Sequence, residues 1–223
     1  MNINIICSEN GKWISAAQQK ITAGGVERID FCDLDGDGVQ EILVGWEIYG
    51  ASEMQLGVYS FKNNRLVERT LQKYSSFVCC DLNDDGTNEA LIINLNSAEQ
   101  LNSAALYSLD DSGFKMLYYC ELDKTVKSIS EPVVSTLSSG KTAVYIDETK
   151  GIGAVTEVLF VDKNGLVNPL LNFESRETVA TLRASGYGVM DINGDGIAEI
   201  PVQESVPSVI RPDSGDKLYL INW

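Results

Sequence analysis

The residues whose types and spacing could carry chemistry are acidic, and they recur. Asp33, Asp35 and Asp37 stand at alternate positions in FCDLDGDGVQEILVGW (31–46). Asp81, Asn83 and Asp85 do the same in CCDLNDDGTNEALIIN (79–94), and Asp191, Asn193 and Asp195 in VMDINGDGIAEIPVQE (189–204). A glycine follows each set (Gly38, Gly86, Gly196), and Glu41, Glu89 or Glu199 comes four residues after the third oxygen donor. Calcium takes six to eight oxygens at about 2.3–2.6 Å, and a tight loop with oxygens at alternate positions can wrap one ion. The seventh position holds Val39, Thr87 or Ile197, unlike side chains that suit a site using only the backbone carbonyl there. One such loop reads equally well as a solvated turn. Three in register, each with the same Glu, read as cation sites, and about three calcium ions are expected.

A helix-loop-helix calcium hand begins similarly but takes a Glu at position twelve. Here those positions are Val44, Ile92 and Val202, each inside an apolar run with strand-like flanks, so that family and the duplicated calcium module of cellulosomes are rejected.

The elements that must position these loops follow from a period. Asp33 and Asp81 lie 48 residues apart and Asp81 and Asp191 lie 110 apart, about twice as far, so one copy is hidden between. Alternating apolar runs ending in tight turns recur at 3–11, 57–64, 105–113 and 158–165, each a strand entering a hairpin. Their ends, Gly11, Asn64, Gly113 and Gly165, place the hidden loop in STLSSGKTAVYIDE (135–148), where the glycine survives and the acids do not. One period holds four short strands, about 27–33, 41–46, 55–61 and 65–72 in the first full unit, the content of a propeller blade. The ends supply half-units: strands at about 3–8 and 12–18, and after Asp195 three further strands ending in 217–223. Helical periodicity is nearly absent. Residues 97–106 read as an extended loop, although Ser97 and Gln100 fit a capping box.

These motifs resemble the FG-GAP and VCBS-type repeats of integrin-α-like β-propellers, the bacterial secreted or lipid-anchored type, over about 25–205. The resemblance implies an all-β fold of about four to five four-stranded blades, in a ring that either closes or is left incomplete. Blades would cover about 25–73, 74–127 and 128–183, with partial blades at 1–24 and 184–223. It also implies that each loop joins the innermost strand of a blade to the next, with the ion at one rim. The ligand sets carried over are Asp33, Asp35, Asp37, Val39 and Glu41; Asp81, Asn83, Asp85, Thr87 and Glu89; and Asp191, Asn193, Asp195, Ile197 and Glu199. Many loops of that family end in Asp where this chain has Glu. Ser135, Leu137, Ser139 and Ala143 align with the ligand positions of the degenerate unit, where no ion is expected.

Composition excludes several function classes. Seventeen Lys and Arg against 32 Asp and Glu give a net charge of −15, a poor match for nucleic acid or anionic lipid. With no His there is no Ser-His-Asp or Cys-His arrangement and no His metal ligand. The five Cys (7, 32, 79, 80, 120) form no CxxC pair and read mostly as small strand residues; one disulfide is possible, and an odd count leaves a thiol free. No stretch reaches the ~20 apolar residues of a membrane span, so no direct insertion is expected. The start reads as the inside of a strand without a signal segment, which suggests a piece of a longer protein.

The function expected is therefore a calcium-binding extracellular or cell-surface scaffold without catalysis, binding a protein or a glycan. Weak calcium modules of this kind fill outside cells rather than within them. The alternative is a propeller-fold polysaccharide-active enzyme, a lyase or hydrolase. A carboxylate pair among Asp147, Glu148, Glu157 and Glu174 would serve the hydrolase. Trp46, Tyr49, Tyr74, Tyr118, Tyr119 and Tyr187 are candidates for a sugar or protein surface, though strand aromatics more often sit in the core.

Overall fold

The computed structural model describes residues 1–50, 54–96, 101–150, 153–170, 181–203 and 218–222. Among these the chain is all-β, with antiparallel strands and no α-helix. Strands β1 (Asn2–Glu9) and β2 (Lys12–Lys20) form a hairpin. A four-stranded sheet follows in chain order: β3 (Gly25–Cys32), β4 (Glu41–Glu47), β5 (Met54–Lys62) and β6 (Arg65–Tyr74). A second repeats the plan with β7 (Ser76–Cys80), β8 (Glu89–Asn94), β9 (Ser103–Asp110) and β10 (Gly113–Glu121). The third contains β11 (Ser128–Ile129), β12 (Val133–Thr136), β13 (Thr142–Lys150), β14 (Gly153–Asp162), β15 (Gly165–Val167) and β16 (Arg183–Ala184). A last pair is β17 (Glu199–Gln203) with β18 (Leu218–Asn222).

The expected strands of the first unit and of the N-terminal hairpin fall on β1 to β6. Turn chemistry sets their register. Asn10 and Gly11, then Asn63 and Asn64, all adopt positive φ, the conformation of two-residue hairpins whose twist matches the flanking strands. Two differences appear. Ser103–Asp110 is strand β9 where a loop was expected to run to 106, while 97–100 lie outside the described residues. The inner strand of the third unit is broken into β11 and β12, which pair with different parts of β13. Pro132 sits at the break, and a residue without an N–H cannot continue the ladder.

The sheets stack in a row, and successive residues feed opposite cores. Ala90 and Ile92 of β8 pack toward the first sheet with Cys32, Leu34, Leu43, Val58 and Phe77. Their neighbours Leu91 and Ile93 pack toward the third sheet with Val144, Ile146 and Leu159. The third sheet meets the C-terminal pair through Tyr145, Val158, Ile200 and Val202, and the first meets the N-terminal hairpin through Val44, Trp46 and Tyr59. Burial on both faces explains why the middle strands read as continuous apolar runs rather than alternating ones. Truncating a side chain such as Phe77, fully buried between two sheets, would cost about 3–5 kcal/mol.

Candidate metal centres

The three acidic segments occupy the same place in the architecture. Asp33 follows β3 and Glu41 opens β4; Asp81 follows β7 and Glu89 opens β8; Asp191 follows the Met190 bridge residue and Glu199 opens β17. They also share one hydrogen-bond pattern. The amides of Gly38, Gly86 and Gly196 donate to Asp33, Asp81 and Asp191 at 2.9, 2.8 and 2.8 Å. Those of Val39, Thr87 and Ile197 donate to Asp37, Asp85 and Asp195 at 2.9, 2.9 and 2.8 Å. Those of Leu34, Leu82 and Ile192 donate to Glu41, Glu89 and Glu199 at 3.0, 3.0 and 2.8 Å. Gly38, Gly86 and Gly196 each take a positive φ, and Asp84 adopts φ 59° where the other loops place Gly36 and Gly194.

This pattern turns carboxylates inward. One oxygen from each of Asp33, Asp35 and Asp37 lies within 4.8 Å of the others; the same holds for Asp81, Asp85 and Glu89, and for Asp191, Asp195 and Glu199. All three clusters could therefore hold a metal ion. Oxygen-only donors fit a hard divalent cation. Asp33 Oδ1 is buried without a hydrogen-bond partner, a lone pair that a cation would satisfy. The loops differ at the Glu. Glu89 and Glu199 belong to their clusters, whereas buried Glu41 accepts from Leu34 N and from Ser60 Oγ at 3.0 Å and lies outside the Asp33 group. Asn83 and Asn193 accept from the amides of Asp85 and Asp195 at 2.9 and 2.8 Å. Burial pushes the Glu89 carboxyl up to about 7, with Asp85 and Asp81 adding repulsion.

Neighbouring groups close around the loops in ways that sequence reasoning missed. Arg69 of β6 reaches Asp35 at 3.2 Å, while Lys62 of β5 pairs with Asp37 and lies 3.6 Å from Asp35. Lys62 holds the Asp37 carboxyl below its usual range. Asn88 donates to the Asp33 carbonyl at 3.3 Å, linking the second loop to the first. The degenerate third unit is a tight turn closed by Leu137 N to Lys141 O at 2.8 Å, and Leu137 sits in the core. Its hydroxyls reach the flanking loops instead: Thr142 donates to Asp84 at 2.9 Å, and Ser135 accepts from Ala198 N at 2.9 Å and donates to Gly196 O at 3.2 Å.

The other candidate residues separate. Asp147 is ion-paired to Arg183 at 2.7 Å and accepts from Thr156 and Val189, and Glu157 accepts from Asp123 N at 2.7 Å in the interior. Glu148 is also buried, and Glu174 lies outside the described residues. Trp46 and Tyr74 are core residues; Tyr49, Tyr118, Tyr119 and Tyr187 are exposed. At the strand ends opposite the acidic loops, Lys73, Tyr74, Asn94, Asn96, Lys127 and Ser128 help line an open groove of about 740 Å³, and among the described residues none of its lining is a carboxylate. In the adjoining cleft Glu27 accepts from Tyr74 and Glu131 pairs with Arg28 at 3.4 Å.

No family model and no curated protein matches the sequence. Solved structures do match the fold. The exotype rhamnogalacturonan lyase YesX aligns with TM-score 0.55 and 12% identity over 78% of this chain and 38% of its own. Rhamnogalacturonan lyase YesW aligns at 0.56 and 12% over 89% and 47%, and a rhamnogalacturonan lyase of Bacillus licheniformis at 0.59 and 14% over 89% and 47%. The chain thus spans less than half the length of the lyases it matches. The expectation of a scaffold without catalysis is corrected by this likeness: these three structures of like fold are lyases. Absence of His does not exclude catalysis, because Lys, Tyr, Asp and Glu also serve as acids and bases.

Proposed function

We propose that this chain is part of a calcium-dependent β-propeller that acts outside the cell on an acidic polysaccharide, as a lyase. The observation that carries the reading is the fold likeness to three rhamnogalacturonan lyases over 78–89% of the chain. The successive four-stranded antiparallel sheets stacked on shared cores support blades of the integrin-α-like kind, with FG-GAP or VCBS-type loops between their first two strands. Calcium is the cation favoured by these oxygen-only clusters, since magnesium demands a tighter octahedral shell. Its role here is to stiffen one rim, while the groove at the opposite strand ends presents Lys127 to an anionic chain. Lyase is preferred over hydrolase because the three solved structures of like fold are lyases.

The test incubates the protein with rhamnogalacturonan and with a neutral polysaccharide, in calcium and in chelator. A lyase raises ultraviolet absorbance as it creates the unsaturated uronide, only with the acidic polymer and more slowly in chelator. New reducing ends without that absorbance would indicate a hydrolase and overturn the reading, as would turnover of the neutral polymer alone.

A further inference from the structure

We propose that Asp147 and Ser135, both on the third sheet, are positioning residues for the third acidic loop, bracketing it at its entry and its exit. The inference rests on the reading of that loop as a cation site. The first two loops are fixed on their entry side by β3 and β7, which pair along their length with β4 and β8. Among the described residues the third loop is entered without such a ladder. Met190 makes a single isolated bridge to Glu199, with amide-to-carbonyl bonds of 3.3 and 2.9 Å. The loop's carboxylates repel one another, so other bonds must hold the backbone that presents them.

Asp147 of β13 supplies the entry bond. Its Oδ2 accepts from Val189 N at 2.8 Å, two residues before Asp191. Its Oδ1 accepts from Arg183 Nη2 and from Thr156 Oγ1, both at 2.7 Å. The fully buried Arg183 guanidinium also donates to Thr156 Oγ1 at 2.8 Å and to the carbonyls of Tyr187 and Thr181 at 2.6 and 3.2 Å. Arg183 thus fixes both the Asp147 carboxylate and the chain that leads into the loop. Ser135 of β12 supplies the exit bond: its Oγ accepts from Ala198 N at 2.9 Å and donates to Gly196 O at 3.2 Å. Gly196 is the residue whose amide binds Asp191, and Ala198 directly precedes Glu199. Val189 and Ala198 are also buried beside Tyr145 and Val158 of the third sheet. The unit that lost its own acids therefore holds the loop of the next one in place. An Asn at 147 has one acceptor oxygen where Asp147 uses two, so it cannot serve both Val189 and Arg183.

Calcium is titrated calorimetrically into chelator-stripped wild type, Ser135→Ala, Asp147→Asn and Asp195→Asn, and amide hydrogen exchange is followed in the calcium-free wild type. Asp195→Asn should lose one ion, which identifies the third loop's share of the titration. Ser135→Ala and Asp147→Asn should each weaken that same ion by roughly ten-fold and leave the other ions unchanged. The Val189 and Ala198 amides should be protected before any calcium is added. Unaltered affinities in both variants, an equal weakening of every ion, or unprotected Val189 and Ala198 amides would overturn the bracket alone. The exchange measurement stands even if Asp147→Asn leaves buried Arg183 without its counter-ion and folds poorly. A titration that Asp195→Asn leaves unchanged would remove the cation site itself, and the proposal with it.

Discussion

Arg69 Nη1 lies 3.2 Å from Asp35 Oδ2, so the outermost strand of the first sheet supplies a fixed cation to the first acidic loop. Ser60 Oγ and the Asp110 carbonyl hold the same guanidinium at 2.8 and 2.9 Å, and both partners of the pair are largely buried. Asp35 thus belongs to an oxygen cluster that could hold a metal ion and is also the partner of Arg69. Asp35→Ala should lower stability in millimolar calcium by about 1–2 kcal/mol for the lost ion. A further loss of about 1 kcal/mol should survive in chelator, where Arg69 is left unpaired. A double-mutant cycle with Arg69→Ala, followed by thermal melting in both conditions, separates the two contributions.

Lys62 has no such internal anchor; it pairs with Asp37 and approaches Asp35 from a half-exposed position. Its charge repels any cation entering the first loop. Lys62→Ala should therefore raise calcium affinity there by roughly five-fold at low ionic strength, and less as salt screens the charge. Terbium luminescence titration of the variant against the parent checks this, with the second and third loops as internal references.

The Glu89 carboxyl gives a pH dependence. An acid whose pKa is raised on folding, here from 4.5 to about 7, favours the folded state fully below the lower value. That contribution is lost as pH rises through about 7. In chelator the melting temperature should accordingly fall between pH 5 and 8 relative to Glu89→Gln, which cannot ionise. Calcium should offset the fall, and binding near pH 6 should release a proton, visible as a dependence of the calorimetric heat on the buffer's ionisation enthalpy.

Much of this was legible because it is local. Two-residue turns at Asn10–Gly11 and Asn63–Asn64 declare their hairpins, and alternate oxygens declare the loops. The third unit's lost acids at Ser135, Leu137 and Ser139 were equally plain. What stayed hidden depends on the packing of distant strands. Nothing in the spacing of Asp35 and Arg69 marks them as partners, because their contact requires β3–β6 to fold into one sheet. Glu41 looks equivalent to Glu89 and Glu199 in sequence, yet Ser60 from β5 draws one of its oxygens away.

Calorimetric titration of calcium into chelator-stripped protein decides whether the three loops are calcium sites. About three ions per chain are expected, with the site carrying Asp33, Asp35 and Asp37 weakest because Arg69 and Lys62 already neutralise it. Each site at ten times its Kd should add about 1.4 kcal/mol of stability, and magnesium should substitute poorly. No binding heat, together with a melting temperature that chelator leaves unmoved, would contradict it and reduce the loops to solvated turns.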